Sequence, residues 1–105
     1  MLRRLGRLPM VLEAGELLID EDGGQATRAG QPLALTATEL RLLAFLVRHR
    51  GQTLSKDQLL TQVWGYDAYD PNLVEVHISA LRRKIESPSR HLIHTRRGRG
   101  YVLIP

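Results

Sequence analysis

One stretch constrains this fold more than any other, and it is residues 72–85, NLVEVHISALRRKI. At the helical period its apolar residues form one narrow stripe, the pattern of a helix docked on a hydrophobic core. That stripe consists of Val74, Ile78, Leu81 and Ile85. The opposite face and its flanks carry Asn72, Leu73, Val76, His77, Ser79, Ala80, Arg82, Arg83 and Lys84. The stretch therefore predicts a helix with only one face in a core.

Val76 is the unusual residue on the predicted outer face. A β-branched apolar side chain there neither favours the helix nor fills the core, whereas a thymine methyl in the DNA major groove would be a suitable partner. Single exposed apolar residues are also common and need no partner, so Val76 alone decides little. Its hydrogen-bonding neighbours, and the adjacent arginines one turn later, favour a helix that reads base edges.

The charge of the chain is unevenly distributed. Its formal net charge is +4, and residues 1–35 and 36–71 contribute nothing to that excess. Residues 72–105 carry seven basic and two acidic groups. A localised basic patch is typical of a surface that binds nucleic acid or anionic membrane.

Length and composition indicate one small domain. The 105 residues are 43% hydrophobic, which suits a single modest core, and no apolar run is long enough to span a membrane. Because the chain has no cysteine, disulfides and thiolate metal sites are excluded. We predict that residues 1–10 are a linker remnant, too short and polar for a signal peptide, and that residues 11–105 form the domain.

The N-terminal part is strand-like. Short apolar runs at Leu17–Ile19 and Pro32–Leu35, a weaker one at Ala26–Arg28 and a first one near Val11–Glu13 are separated by turn clusters. They predict a four-stranded antiparallel sheet. It carries no chemical motif, so we interpret it as a scaffold or docking surface.

Two helix starts follow. Thr36 and Glu39 have the spacing of a capping box, and the helix they begin should end near His49 and Arg50, with Gly51 as its cap residue. Thr53–Leu54 could form one short strand.

Ser55 and Gln58 repeat the capping-box spacing, for a second helix that ends before Gly65. Ser55 and Lys56 could also meet a phosphate, since helix N-termini attract anions, although capping alone explains Ser55.

The remaining elements complete a helix-turn-helix and a hairpin. Residues 65–70, GYDAYD, predict a loop, after which Asn72 and Glu75 offer a third capping pair. Leu92–Thr95 and Tyr101–Ile104 predict two strands. The turn between them holds Arg96, Arg97 and Arg99, and an arginine that enters a narrow, electronegative minor groove is strongly attracted there.

In combination these motifs resemble the C-terminal effector domain of OmpR/PhoB-type response regulators. The resemblance rests on LTATELRLLAFL, LSKDQLLTQVWG, VEVHISALRRKI and IHTRRGRGY, and covers nearly all of residues 17–104. It implies an α+β winged helix-turn-helix with an N-terminal four-stranded antiparallel sheet, three helices and a C-terminal β-hairpin wing. It also implies a cytoplasmic, non-enzymatic protein that binds double-stranded DNA and regulates transcription.

The resemblance also implies roles for individual residues. The recognition helix is 72–85, and the wing is 94–101. The residues placed toward the major groove and its flanking phosphates are Leu73, Val76, His77, Ser79, Ala80 and Arg82. Thr95 falls where a phosphate is held, and Arg97 where the wing enters the minor groove. Tyr66, Asp67 and Tyr69 lie in the loop with which some members contact RNA polymerase.

Ala80 departs from the family pattern, because several relatives have a long polar or basic side chain there. Base contacts are therefore expected to be fewer or shifted. The receiver domain typical of the family is not within this sequence, so the chain is either an excised effector domain or is regulated differently. We expect a monomer alone that pairs on DNA half-sites about one helical turn apart.

The residues also allow other functions to be compared with DNA binding. A winged helix can instead recognise proteins or RNA, in which case the arginine-rich tip would face solvent or an acidic partner. No Ser/His/Asp or Cys/His set suggests an enzyme, and no cofactor is expected. His91 and His94 have a spacing seen in metal sites, but a third ligand is not apparent, so surface histidines are the simpler interpretation.

Overall fold

The computed structural model describes residues 11–65 and 68–105. The predicted linker remnant, residues 1–10, lies outside the described residues, and so do Tyr66 and Asp67. The described chain runs through four strands, three helices and a final pair of strands. None of these helices is both long and apolar enough to cross a membrane.

The N-terminal strands are β1 (Val11–Ala14), β2 (Leu17–Asp20), β3 (Gln25–Arg28) and β4 (Gln31–Pro32), paired antiparallel in that order. Alternation places Leu17 and Ile19 in the core and leaves Leu18 exposed, as expected for a sheet covered on one face. The predicted strand Pro32–Leu35 was wrong in extent. Leu33 still donates its N–H to Ala26 O at 2.9 Å, but the chain then leaves the sheet for the first helix.

The first helix, α1 (Ala37–Arg48), begins at the predicted capping box. Thr36 Oγ1 accepts from Glu39 N at 3.1 Å, and Glu39 Oε1 accepts from Thr36 N at 2.9 Å. The helix ends slightly earlier than predicted, with His49 as its cap. Gly51 follows at φ +83, so it turns the chain after the cap instead of serving as the cap.

The second helix, α2, runs from Lys56 to Trp64 in two geometries. The Ser55–Gln58 capping box opens an α-helical turn, Lys56–Leu59, which continues as a π-helical turn, Leu60–Trp64. Gly65 N donates to Leu60 O at 3.1 Å and closes that wider turn. The predicted strand Thr53–Leu54 is only one bridge, between Leu54 and Tyr101.

The third helix, α3 (Asn72–Ile85), has the predicted extent and buried stripe, in which no residue is more than 1% exposed. Its predicted capping pair, Asn72 with Glu75, was wrong. Asn72 is already helical, and Asp70 Oδ1 caps the end by accepting from Asn72 N at 3.0 Å. Glu75 is therefore available to another partner, Lys56 on α2.

The C-terminal hairpin consists of β5 (Ile93–Arg96) and β6 (Gly100–Leu103), each shifted by one residue from the prediction. It packs beside α2, because Leu54 and Tyr101 exchange backbone hydrogen bonds at 2.8 and 2.9 Å. Gly100 permits this approach. Its φ is +137, and a Cβ there would lie 1.9 Å from Leu54 O. Together the elements form the predicted winged helix around one core shared by sheet, helices and hairpin.

Candidate nucleic-acid interface

The outer face of α3 presents the residues expected to read bases. Val76 is 54% exposed, and Ser79 and Arg83 are exposed with it. Leu73 and Ala80 are partly buried, and Leu73 packs against the core. The structure thus divides the predicted groove-facing set into side chains that project outward and side chains that support them.

His77 is held within the protein by two contacts. Its ring meets Trp64 edge-on, with centroids 5.0 Å apart, and its Nδ1 lies 2.8 Å from Leu73 O. A carbonyl oxygen can only accept, so Nδ1 carries the proton of that bond. Nε2 is then the nitrogen that would accept a hydrogen bond in the neutral ring. The π-helical turn of α2 carries Trp64, the residue whose ring contacts the His77 ring.

Arg82 contacts the wing. Its Nε and Nη2 donate to Ile93 O at 3.2 and 3.0 Å, and Nη2 also donates to Thr95 Oγ1 at 2.8 Å. The guanidinium lies 5.6 Å from the Tyr101 ring centroid, within the range of a cation–π interaction. Arg82 therefore joins α3 to both wing strands, a connection that no local sequence pattern indicated.

A groove of about 640 Å³ lies between the wing and the N-terminal ends of α2 and α3. It brings together every residue predicted to bind phosphate or the minor groove outside α3: Ser55, Lys56, Thr95, Arg96, Arg97 and Arg99. Residues from two separate parts of the chain, 55–56 and 95–99, thereby form one mostly basic surface.

Two acidic residues, Asp57 and Glu75, also line this groove. Glu75 forms an ion pair with Lys56, and that hydrogen bond raises the pKa of the Lys56 ammonium. No local sequence pattern indicates this pairing, because the two residues lie on different helices.

A second ion pair joins α3 to α1. Lys84 Nζ lies 2.7 Å from Glu39 Oε1, and Glu39 is only 5% exposed. Burial raises the pKa of the Glu39 carboxyl, but the hydrogen bonds from Lys84 and from Thr36 N–H outweigh it, so the pKa lies below its ordinary value. The charged cap of α1 therefore also fixes the basic end of the recognition helix.

Glu86 is a further residue that sequence reasoning missed. Its carboxylate is 9% exposed, and Oε2 accepts from Leu92 N and Ile93 N at 2.8 and 2.7 Å. An acidic residue at a helix C-terminus opposes the helix dipole, which was the available signal that Glu86 has another partner. His91 lies 3.4 Å from Glu86 Oε1. Within residues 11–65 and 68–105 no group of three His, Cys, Asp or Glu side chains could hold a metal ion.

Comparison with known proteins agrees with this geometry. Residues 30–103 match the family model described as transcriptional regulatory protein, C terminal. The chain is 47% identical over 95 residues to the probable transcriptional regulatory protein TcrX of Mycobacterium tuberculosis, covering 90% of this chain and 41% of TcrX. It therefore spans about two fifths of that relative's length.

Solved structures give the same result. The Klebsiella pneumoniae RstA DNA-binding domain, in complex with the RstA box, superposes with a TM-score of 0.80 at 33% identity, covering 91% of this chain and 98% of that one. Thermotoga maritima DrrB, an OmpR/PhoB homolog, superposes with a TM-score of 0.79 at 28% identity, covering 90% and 44%. With a family model matched over most of its length, this chain belongs to the C-terminal domains of OmpR/PhoB-type transcriptional regulatory proteins.

Proposed function

We propose that this chain binds double-stranded DNA in a sequence-specific manner and is the output domain of a response regulator that controls transcription. The observation that carries the proposal is the groove between α2, α3 and the wing, where the basic side chains of α2 and of the wing meet beside the exposed face of α3. A surface of this charge suits the phosphate backbone, and a helix projecting beside it fits the major groove.

Within this proposal α3 (72–85) enters the major groove, with Val76 and Ser79 directed at base edges. Leu73 and Ala80 offer short apolar contacts at the edge of that face, and His77 offers Nε2 to a donor or a phosphate. Because Ser79 and Ala80 are short, direct readout is limited to few contacts. DNA shape and backbone contacts then contribute a large share of specificity.

The wing (94–101) supplies the minor-groove contact. Arg96, Arg97 and Arg99 are exposed around the turn at Gly98. Arg99 N donates to Arg96 O at 2.8 Å, so Arg97 and Gly98 are the two central residues of that turn. The residues that bind flanking phosphates in this arrangement are Ser55, Lys56, Thr95 and Arg83. Arg82 holds the wing through Nε and Nη2, so only its Nη1 would face a phosphate. Lys56 would exchange its Glu75 partner for a phosphate oxygen, so Glu75 lowers the affinity for DNA of any sequence.

The whole protein's regulation is part of the proposal. A receiver domain would control a cytoplasmic regulator, and this domain would be a monomer alone and a dimer on paired half-sites. Sedimentation at micromolar concentration tests whether the domain is a monomer in the absence of DNA. A stable dimer without DNA would contradict it.

RNA polymerase is a proposed second partner through the loop between α2 and α3. Tyr69 is 87% exposed in that loop, which is unusual for a large aromatic side chain. We expect Tyr69→Ala to reduce activated transcription and leave operator affinity unchanged. Equal losses of both would mean that the loop only supports the DNA face.

Selection of bound duplexes from a random pool tests the central proposal. Enrichment of one sequence motif, either a single site or two half-sites about one helical turn apart, supports sequence-specific DNA binding. Absence of enrichment, together with tight binding to structured RNA or to an acidic protein, would favour the RNA or protein-interaction module instead.

A further inference from the structure

The free edge of β5 is held by side chains of α3 in the place where another strand would pair. β5 and β6 form a two-stranded sheet, so β5 has one unpaired edge. Ile93 lies on that edge and is only 2% exposed. Its N–H and C=O are both bound by α3, the N–H by Glu86 and the C=O by Arg82.

These contacts span the end of the helix. Arg82 is in the last turn of α3, and Glu86 is its C-cap, whose own N–H donates to Arg82 O at 2.9 Å. Arg82 also reaches Thr95, and Glu86 also binds Leu92 N–H. Both groups are charged, and hydrogen bonds to charged groups are shorter and stronger than neutral ones. The attachment therefore has several fixed points along β5.

We propose that Arg82 and Glu86 are positioning residues, a clamp on Ile93 that sets the angle of the wing relative to the recognition helix. The recognition helix and the wing then bind the duplex as one rigid unit. Arg97 contributes its full share of the binding free energy only while the clamp is closed. This inference rests on the proposed DNA-binding function, and it adds how the two grooves are read together.

The clamp and simple electrostatics predict opposite effects for one substitution. Glu86→Ala removes a negative charge, raising the formal net charge from +4 to +5, so electrostatics alone predicts tighter DNA binding. The clamp predicts weaker binding, because Leu92 and Ile93 lose their acceptor and the wing is no longer held. Glu86→Gln keeps an oxygen that can accept from the N–H groups of Leu92 and Ile93, so the wing should stay in place and DNA binding should not weaken as it does in Glu86→Ala.

The experiment is a double-mutant cycle between the clamp and Arg97, on the preferred duplex with an A·T-rich flank. In the wild-type background Arg97→Ala should weaken binding roughly tenfold, a loss typical of one good contact. In the Glu86→Ala background the same change should cost less than about twofold, since the wing already contributes little. Arg82→Lys, which keeps the charge but loses the two-nitrogen contact to Ile93 O, should reduce the Arg97 penalty in the same way.

Thr36→Ala is the control for lost stability, because it removes a hydrogen bond of the α1 cap and none of the contacts of Arg82 or Glu86. All variants are compared at a temperature where circular dichroism shows them folded. The clamp is overturned if Glu86→Ala binds as tightly as wild type with the Arg97 penalty intact. If Arg97→Ala has no effect even in the wild-type background, the wing does not bind DNA, and the proposed binding mode fails together with the clamp.

Discussion

The N-terminal sheet and the wing are both antiparallel, but they differ in charge and in how they are attached. Residues 11–35 carry five acidic groups and one basic group, whereas residues 93–103 carry three arginines and no acid. The sheet is fixed mainly by buried apolar side chains such as Leu17 and Ile19. The wing also has buried apolar side chains in the core, such as Ile93 and Leu103, but it depends in addition on a close backbone approach at Gly100 and on charged side chains of α3.

This difference indicates separate roles for two similar elements. An acidic sheet is repelled by phosphates and suits a scaffold, while a basic hairpin is attracted to them. Because the orientation of the wing depends on these polar contacts as well as on apolar packing, single substitutions of the contacting residues should move the wing while the sheet stays in place. The predictions below test that contrast.

The largest effect is expected for Gly100→Ala in the wing. Its Cβ would lie 1.9 Å from Leu54 O, at a φ of +137 that L-residues rarely adopt, so the strand must separate from Leu54. We expect the free energy of unfolding to fall by about 3 kcal/mol or more in urea titrations. Gly24→Ala, in the turn before β3 with no atom within 4 Å of the added Cβ, should cost only about 1 kcal/mol. Similar losses at both sites would contradict the close-approach argument.

Arg97→Ala at the wing tip should weaken binding to many duplexes and reduce its salt dependence. The logarithmic slope of affinity against salt should become smaller by about one unit, the signature of one lost phosphate-type contact. The penalty should be greatest on sites with an A·T-rich flank. Arg28→Ala removes the same charge from the sheet and should leave the slope unchanged. An equal reduction of the slope in both variants would show that only the net charge of the domain matters.

Glu39→Gln tests the joint between the two regions. Glutamine preserves the α1 capping box but not the charge that pairs with Lys84, so stability at neutral pH should fall by about 1 kcal/mol, given that Lys84 is partly exposed. Because the folded pKa of Glu39 is below its ordinary value of 4.5, the carboxylate stabilises the fold above that pH. The difference from wild type should vanish as pH falls through the folded pKa. A loss of stability that stays the same at every pH would contradict the ion pair between Glu39 and Lys84.

Val76→Ala should have the smallest effect on affinity and act on specificity instead. Losing a methyl contact should reduce discrimination at one base pair by up to about 1 kcal/mol, with the salt slope of the wild type retained. Binding to duplexes that differ only at that pair measures the effect. An unchanged preference for every base would show that Val76 does not face the groove.

Sequence predicted the features that depend on neighbouring residues. Both capping boxes join residues three positions apart, and the buried stripe of α3 follows from one helical period. The connection from Lys84 to Glu39 joins residues 45 positions apart, and that from Arg82 to Ile93 crosses a turn. Such contacts exist only once the helices are packed, so no local pattern could indicate them. For the same reason Arg82 was expected simply to face DNA, and its contact with the wing was missed.

The π-helical turn and the early end of β4 were missed for a related reason. The sequence Leu60–Trp64 has an ordinary helical pattern. The wider turn is seen only in the folded protein, where Trp64 contacts His77 of α3. β4 ends at Pro32, because after the hydrogen bond from Leu33 N to Ala26 O the chain leaves the sheet toward the Thr36 cap.

Base analogues that separate the two grooves test the central claim most directly. In the preferred duplex each A·T pair is replaced in turn by inosine·C, which keeps the minor-groove edge of A·T, or by diaminopurine·T, which keeps its major-groove edge. Under α3 we expect only inosine·C to weaken binding, and in the wing flank only diaminopurine·T, with the flank effect absent in Arg97→Ala. Sensitivity to inosine·C in the flank, or to neither analogue anywhere, would contradict a helix in the major groove with a wing in the minor groove.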